Sequence, residues 1–286
     1  MKKIIFIFFI ISYSLFAKEF IVSYREPESK NDSRFEYPLA LIKASLDATR
    51  DKYGSYKLIP VVRLNNKRAQ NPDYISTLEN FIFETSISIE REEKLLSIKI
   101  PTSKGLFGYR VFLIKKQNQY LFDTVKTVDD LKQISFGQGD GWLDSQILKD
   151  AGFNVVLGNN YDGLFAMLNK ERFLAFPRAV NEAVREVEQI KDLYPDIVIE
   201  KNLCIYYPLP RYFYTAKKNT LLAERITKGM NIIIKNGTFD KIWNKYNYPA
   251  VEKCNLAKRK IFYIKNNYLP DNIPFSNKNY WFQIKK

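Results

Sequence analysis

Residues 136–182, FGQGDGWLDSQILKDAGFNVVLGNNYDGLFAMLNKERFLAFPRAVNE, constrain the fold more than any other stretch of this chain. Apolar runs at 134–136, 153–157 and 173–176 read as strands, with Pro177 closing the last of them. Between them lie two helical patterns. One begins near Asp140 and carries Leu143, Ile147 and Ala151 on one face, and the other carries Tyr161, Leu164, Phe165 and Leu168. Such alternation builds an α/β layer. Its first turn is Gly-rich, with Gly137, Gly139 and Gly141 leading into the helix beside Trp142. A helix N-terminus behind such a turn offers unpaired N–H groups to the polar end of a small ligand. The same glycines also serve a plain capped helix whose chain merely turns there.

The N-terminus has a different logic. Lys2 and Lys3 precede an apolar run over 4–11, and Leu15-Phe16-Ala17 leads to the polar Lys18. This is the pattern of a secretory signal peptide cut after Ala17. The run is shorter than the roughly 20 residues a membrane-spanning helix needs. Formal net charge is +14 and falls by two with the leader, but the basic residues are scattered. No basic block interleaved with aromatics marks a nucleic-acid surface. The chain has no His and only two Cys, Cys204 and Cys254. That composition excludes His-dependent catalysis and argues against zinc; no cofactor or metal is expected. In an oxidising compartment the two Cys either pair or stay as isolated buried thiols.

The first ninety residues repeat the α/β theme. Strands over 20–24 and 56–62 flank a helix carrying Leu39, Ile42, Leu46 and Tyr53, and Pro72-Asp73 opens a helix assigned Ile75, Leu78 and Ile82. The polar loop 25–33 follows the first strand, where a loop can reach a ligand. A glycine-punctuated run at 105–114 reads as a passage between lobes, and a Tyr- and Pro-rich extended segment over 203–214 as the passage back. Late helices carry Leu222, Ile226, Met230 and Ile233, then Phe239, Ile242, Trp243 and Tyr246. The remaining residues show no periodicity and read as an irregular cover. The division is therefore a signal peptide over 1–17, a first lobe over 18–112, a second over 113–206, and a return with a C-terminal segment over 207–286.

This order, from residue 18 to 246, resembles the type 2 periplasmic solute-binding proteins, in particular the polar-amino-acid branch that serves ABC transporters. The local marks are SISIEREEKLLSIKIP at 86–101, similar to that family's Thr-x-x-Arg region; ISFGQGDGW at 134–142, in the place of its second-lobe strand and helix start; and KNGTFDKIWNKY at 235–246, similar to its closing helix. The resemblance implies an α/β, two-lobed periplasmic-binding-protein type 2 fold with a ligand cleft between lobes. It also implies a periplasmic or secreted monomer that binds a small-molecule solute and hands it to a membrane transporter permease or receptor, with no nucleic acid and no catalysis. In that family the Arg grips the ligand carboxylate; here it is Arg91, with Ser86 and Ser88 as hydroxyl partners. A planar guanidinium suits a carboxylate through two parallel charge-assisted hydrogen bonds. The alternative is Arg91 paired with Glu90 or Glu92 on a solvated surface.

One departure matters. The family's second-lobe Asp, which holds the ligand ammonium, is missing from FPRAVNE at 176–182. Either Arg178 adds a second positive group for an anionic ligand, or Asp140 and Asp144 take over an amine. Plainer readings pair Arg178 with Glu182 at i+4 and leave Asp140 as an N-cap. The ligand-binding set expected from sequence is thus Ser86, Ser88, Arg91, Gly139, Asp140, Trp142 and Arg178, with Trp142 stacking on the solute. Two rivals stay open. A dehydratase-like enzyme on this scaffold would use Glu182 or Asp144 as an acid of raised pKa, and a cell-wall or protein interaction module would use the basic charge and the C-terminal segment.

Overall fold

The structure, a computed structural model, describes residues 19–27, 33–61, 64 and 66–284. The signal peptide expected over 1–17 lies outside them. Twelve strands follow in chain order: β1 Phe20–Arg25, β2 Tyr56–Val61, β3 Ile82–Ser86, β4 Leu96–Ile98, β5 Tyr109–Lys115, β6 Phe136–Gly139, β7 Val155–Gly158, β8 Phe176–Ala179, β9 Ile197–Ile199, β10 Leu203–Tyr206, β11 Arg211–Thr215 and β12 Lys260–Tyr263.

They form two lobes. The first is a sheet of order β2-β1-β3-β11-β4, parallel along β2-β1-β3 and antiparallel on both sides of β11. The second runs β12-β10-β5-β8, with β9 also on β5. The parallel pair β6-β7 joins it through a bridge between Phe136 and Ala175, just before β8. Each sheet takes a strand from far along the chain. The lobes are therefore tied by crossings rather than strung on one linker. Residues 99–108 and 207–210 are two of these crossings, joined by a hydrogen bond from Tyr207 N to Gly108 O (3.3 Å).

Apolar periodicity explains the layers. Helix Glu36–Asp47 buries Leu41, Ile42 and Leu46 against Val22, and helix Thr220–Lys235 buries Leu222, Ile226, Met230 and Ile233 in the same core. At Gly229 a Cβ would collide with the Ser45 backbone, so these two helices approach closely only because that residue has no side chain. The second lobe has its own core, in which Phe136 stacks on Phe153 with centroids 5.0 Å apart.

Several sequence expectations need correction. Ile82 opens β3 rather than extending the preceding helix, which is only Pro72–Ser76; the turn that separates them passes Asn80 at φ 45°. Pro177 lies inside β8 rather than ending it. It lies opposite Phe112 of β5, and its carbonyl accepts from Gln138 Nε2 (3.2 Å). β5 starts at Tyr109, within the run 105–114 that the sequence marks as the passage. The tail is more regular than expected. Helix Thr238–Lys253 continues through Pro249, β12 adds a parallel strand to β10, and the chain then returns to bury Ile273 in the first lobe beside Phe81 and Phe83.

Candidate functional site: a charged cleft between the lobes

A cavity of about 60 Å³ lies where the two lobes meet. The first lobe contributes Arg25, Arg34, Glu84, Ser86, Arg91 and Arg211; the second contributes Trp142, Asp144, Arg178 and Glu182; Phe107 comes from a crossing. Five arginines therefore face three carboxylates, a formal excess of two positive charges.

Arg91 sits in the first turn of helix Ile89–Lys94. Ser88 caps that helix, accepting from Arg91 N (3.3 Å), and also accepts from Arg91 Nη1 (3.3 Å). The guanidinium is aimed by two further bonds, Nη1 to Ser86 O (3.1 Å) and Nε to Gln70 Oε1 (2.6 Å). The surface-pair alternative fails on geometry. Glu90 binds Lys94 (2.7 Å), and Glu92 accepts from Tyr214 Oη (2.8 Å) and Ser97 Oγ (3.0 Å). Among the described residues no carboxylate lies in salt-bridge range of Arg91. Burial accordingly pushes its pKa below the usual arginine value.

Arg178 is the opposite case. Its Nε and Nη2 donate to Glu186 (2.6–3.0 Å) and its Nη2 pairs with Glu182 (2.9 Å). Glu182 and Glu186 sit four residues apart on helix Val180–Ile190, so both point at the strand end carrying Arg178. Burial opposes its charge, but the two carboxylates overcome that and hold the guanidinium protonated well above its ordinary pKa. The reading of Arg178 as an uncommitted positive group is corrected: it lines the cleft with its charge already matched.

The Gly-rich turn also departs from expectation. Asp140 N bonds Gly158 O (2.9 Å), which carries the strand pairing one residue past β6, and Gly141 turns the chain at φ 74°. The helix therefore starts at Leu143, with Trp142 at its N-cap position, and Asp140 is exposed and neither caps nor lines the cleft. Gly139 does not line it either. A Cβ there would overlap the Trp142 indole, so the glycine is what lets that ring lie down on β6. Trp142 stacks on Phe176 (centroids 6.2 Å) beneath the Arg178 guanidinium (4.9 Å) and forms one wall.

Asp144, in the first turn of helix Leu143–Asp150, is the carboxylate that enters the cleft in place of Asp140. It accepts from Tyr207 Oη (2.5 Å) and pairs with Arg110 (2.5 Å), a fully buried residue of β5 that also approaches Glu182 (3.7 Å). Across the cleft Arg211 pairs with Glu84 (3.0 Å). Burial raises the Glu84 carboxyl despite Arg211. Burial pushes Glu182 up as well, but Arg178 and Arg110 outweigh it and leave that carboxyl below its ordinary range, the wrong direction for a general acid at neutral pH. Arg25, Arg34, Glu84, Arg110 and Arg211 were not anticipated. The one available signal was Arg25, which ends the first strand at the start of the polar loop.

Cys204 and Cys254 are separate free thiols, both buried. Burial pushes Cys204 up to about 12 and Cys254 to about 11.

Two α/β lobes crossed repeatedly by the chain, with a polar cleft between them, define the two-lobed periplasmic-binding-protein type 2 fold. Comparison with solved structures finds the same fold in amino-acid-binding proteins. It superposes on an ancestral arginine-binding protein bound to arginine with a TM-score of 0.57 at 22% identity, covering 80% of this chain and 98% of that one. The amino acid ABC transporter substrate-binding protein AbpA of Streptococcus pneumoniae, bound to L-arginine, gives 0.55 at 16% identity over 81% and 95% of the two chains. An ancestral amino-acid-binding protein, the precursor of a cyclohexadienyl dehydratase, gives 0.53 at 16% identity over 80% and 95%. No protein-family model matches the sequence, and neither does any curated protein.

Proposed function

We propose that this protein captures a small carboxylate-bearing solute between its lobes. The observation that carries the reading is Arg91: of Arg91, Arg178 and Arg211 in the cleft, it alone has no carboxylate in range, and it is pre-aimed by Gln70, Ser86 and Ser88. A bidentate ligand carboxylate is the partner such a group lacks. The other charges argue against a free α-ammonium in the cleft. Asp144, Glu182 and Glu84 are all engaged by arginines, so an amine placed there would compete with existing ion pairs. Trp142 and Phe107 supply apolar walls.

Residues of both lobes line the cavity, so a ligand touching both stabilises the closed arrangement over an open one. The protein acts by recognition, delivering its solute to a membrane permease or a receptor after export by its N-terminal signal. No helix among the described residues is long and apolar enough to cross a membrane.

The test is a thermal-shift screen of residues 18–286, unfolded and refolded to remove retained ligand, against amino acids, small dicarboxylates, polyamines and sugars. A ligand at 100 times its Kd stabilises by about 2.7 kcal/mol. Carboxylates should shift the wild type and leave Arg91→Ala unmoved. A polyamine or sugar that stabilises both proteins equally would refute the reading.

A further inference from the structure

Beside the cleft lies a second cavity of about 440 Å³, and Arg91 and Leu143 line both. The inner space, about 60 Å³, accommodates an acid group and little more, because the ion pairs of Arg178 and Arg211 fill the rest. The outer one falls in the range of about 300–1,000 Å³ usual for small-molecule sites. Gln70 and Gln146 line it, and Ile89, Leu95 and Leu143 give it apolar faces. Gln70 is the informative group: its Oε1 is taken by Arg91, while its buried Nε2 has no hydrogen-bond partner. A buried donor left unpaired is costly, so a small turn of the Gln70 amide toward the cavity to meet a ligand's amide carbonyl is favoured.

The far wall is Tyr268, from the tail that follows β12. Its carbonyl accepts from Ile89 N (3.0 Å) in the first lobe, and its hydroxyl donates to Asp150 (2.7 Å) in the second. The tail thus closes the outer cavity while bridging the lobes.

Resting on the carboxylate reading above, we infer that the ligand spans both cavities and is a short peptide, two or three residues long, with a free C-terminus. The terminal carboxylate meets Arg91, and the adjoining peptide group lies beside Gln70. The remaining residue or residues, with the amine, run out toward Gln146 and Tyr268. This placement meets the charge argument directly. In a free amino acid the ammonium sits next to the carboxylate, where every acid is held in a buried ion pair; in a peptide that position is a neutral amide N–H, and the amine is moved outward to the solvent-exposed side, where Glu90 is held only by an exposed surface pair with Lys94.

Three probes decide it in native mass spectrometry and calorimetry with residues 18–286: a random tripeptide library with free C-termini, the same library C-terminally amidated, and the twenty free amino acids. Free-acid peptides should bind at least tenfold more tightly than any free amino acid, and amidation should remove at least a hundredfold. Gln146→Leu should weaken peptides several-fold without changing the response to small carboxylates. If free amino acids or dicarboxylates bind through Arg91 as tightly as peptides do, the spanning ligand is overturned and the cleft reading survives. If amidated and free peptides bind alike, or nothing binds, both fall.

Discussion

Two arginines in one cleft should respond oppositely to the same substitution, Arg→Met. Arg178 is 3% exposed, and its partners Glu182 and Glu186 are 5% and 1% exposed. Removing its charge leaves Glu186 buried beside a neutral donor, Tyr161 Oη (2.9 Å), and Glu182 with Ala179 N (3.4 Å) and Arg110 at 3.7 Å. Breaking a buried pair from one side costs about 3–5 kcal/mol. At about 2–4 °C of Tm per kcal/mol for a chain of this size class, that is a fall of roughly 6–20 °C. Arg91→Met loses three hydrogen bonds to neutral groups but strands no carboxylate, and it removes a cation whose burial was uncompensated. Those terms oppose each other, so stability should stay within about 1 kcal/mol. Ligand binding should fall by about 2–5 kcal/mol, the cost of truncating one side of a hydrogen-bonded charge pair. Urea titrations of ligand-free protein, read by tryptophan fluorescence and paired with calorimetry, measure both effects. If Arg178→Met matches wild type while Arg91→Met loses several kcal/mol, the assignment of structural and ligand-facing charge is wrong.

Two further outcomes follow from the site. The Glu182 carboxyl is held below its ordinary 4.5 in the folded protein, so it adds stability that is present above pH 4.5 and lost as pH falls through its folded value. Glu182→Gln should therefore flatten the acid limb of a stability-versus-pH curve, and an unchanged limb would contradict the Arg178 and Arg110 pairing. Cys204 and Cys254, buried with raised pKa values, should label with a thiol reagent at pH 8 only after denaturation; rapid labelling of the native protein would contradict their burial.

The alternation of strands and helices was legible along the chain because each apolar face repeats at the period of its own element. Leu41, Ile42 and Leu46 announce their helix whatever lies opposite. Arg91 was singled out by resemblance to a family's Thr-x-x-Arg region, and in the structure Ser88 and the helix it caps aim its guanidinium. The start of the helix after the Gly-rich turn was misread because a single long-range hydrogen bond, Asp140 N to Gly158 O, keeps the chain extended where the local pattern allows a helix. The shift of three residues exchanges Asp140 for Asp144 in the cleft.

The sequence by itself determined the alternating α/β order, through short-range periodicity, and the basic character of the protein, through composition, while the two lobes and Arg91 as carboxylate-binding candidate were implied by the family resemblance. Only the tertiary structure decided which charges are spent. The Arg110–Asp144 and Arg211–Glu84 pairs join residues far apart in the chain, and whether a guanidinium is free for a ligand depends on what folding brings to it. The tail shows the same limit. Its aperiodic sequence carries no internal reason to form a strand or a wall, and β12 and Tyr268 take their places because the edge of β10 and the mouth beside Arg91 supply the partners.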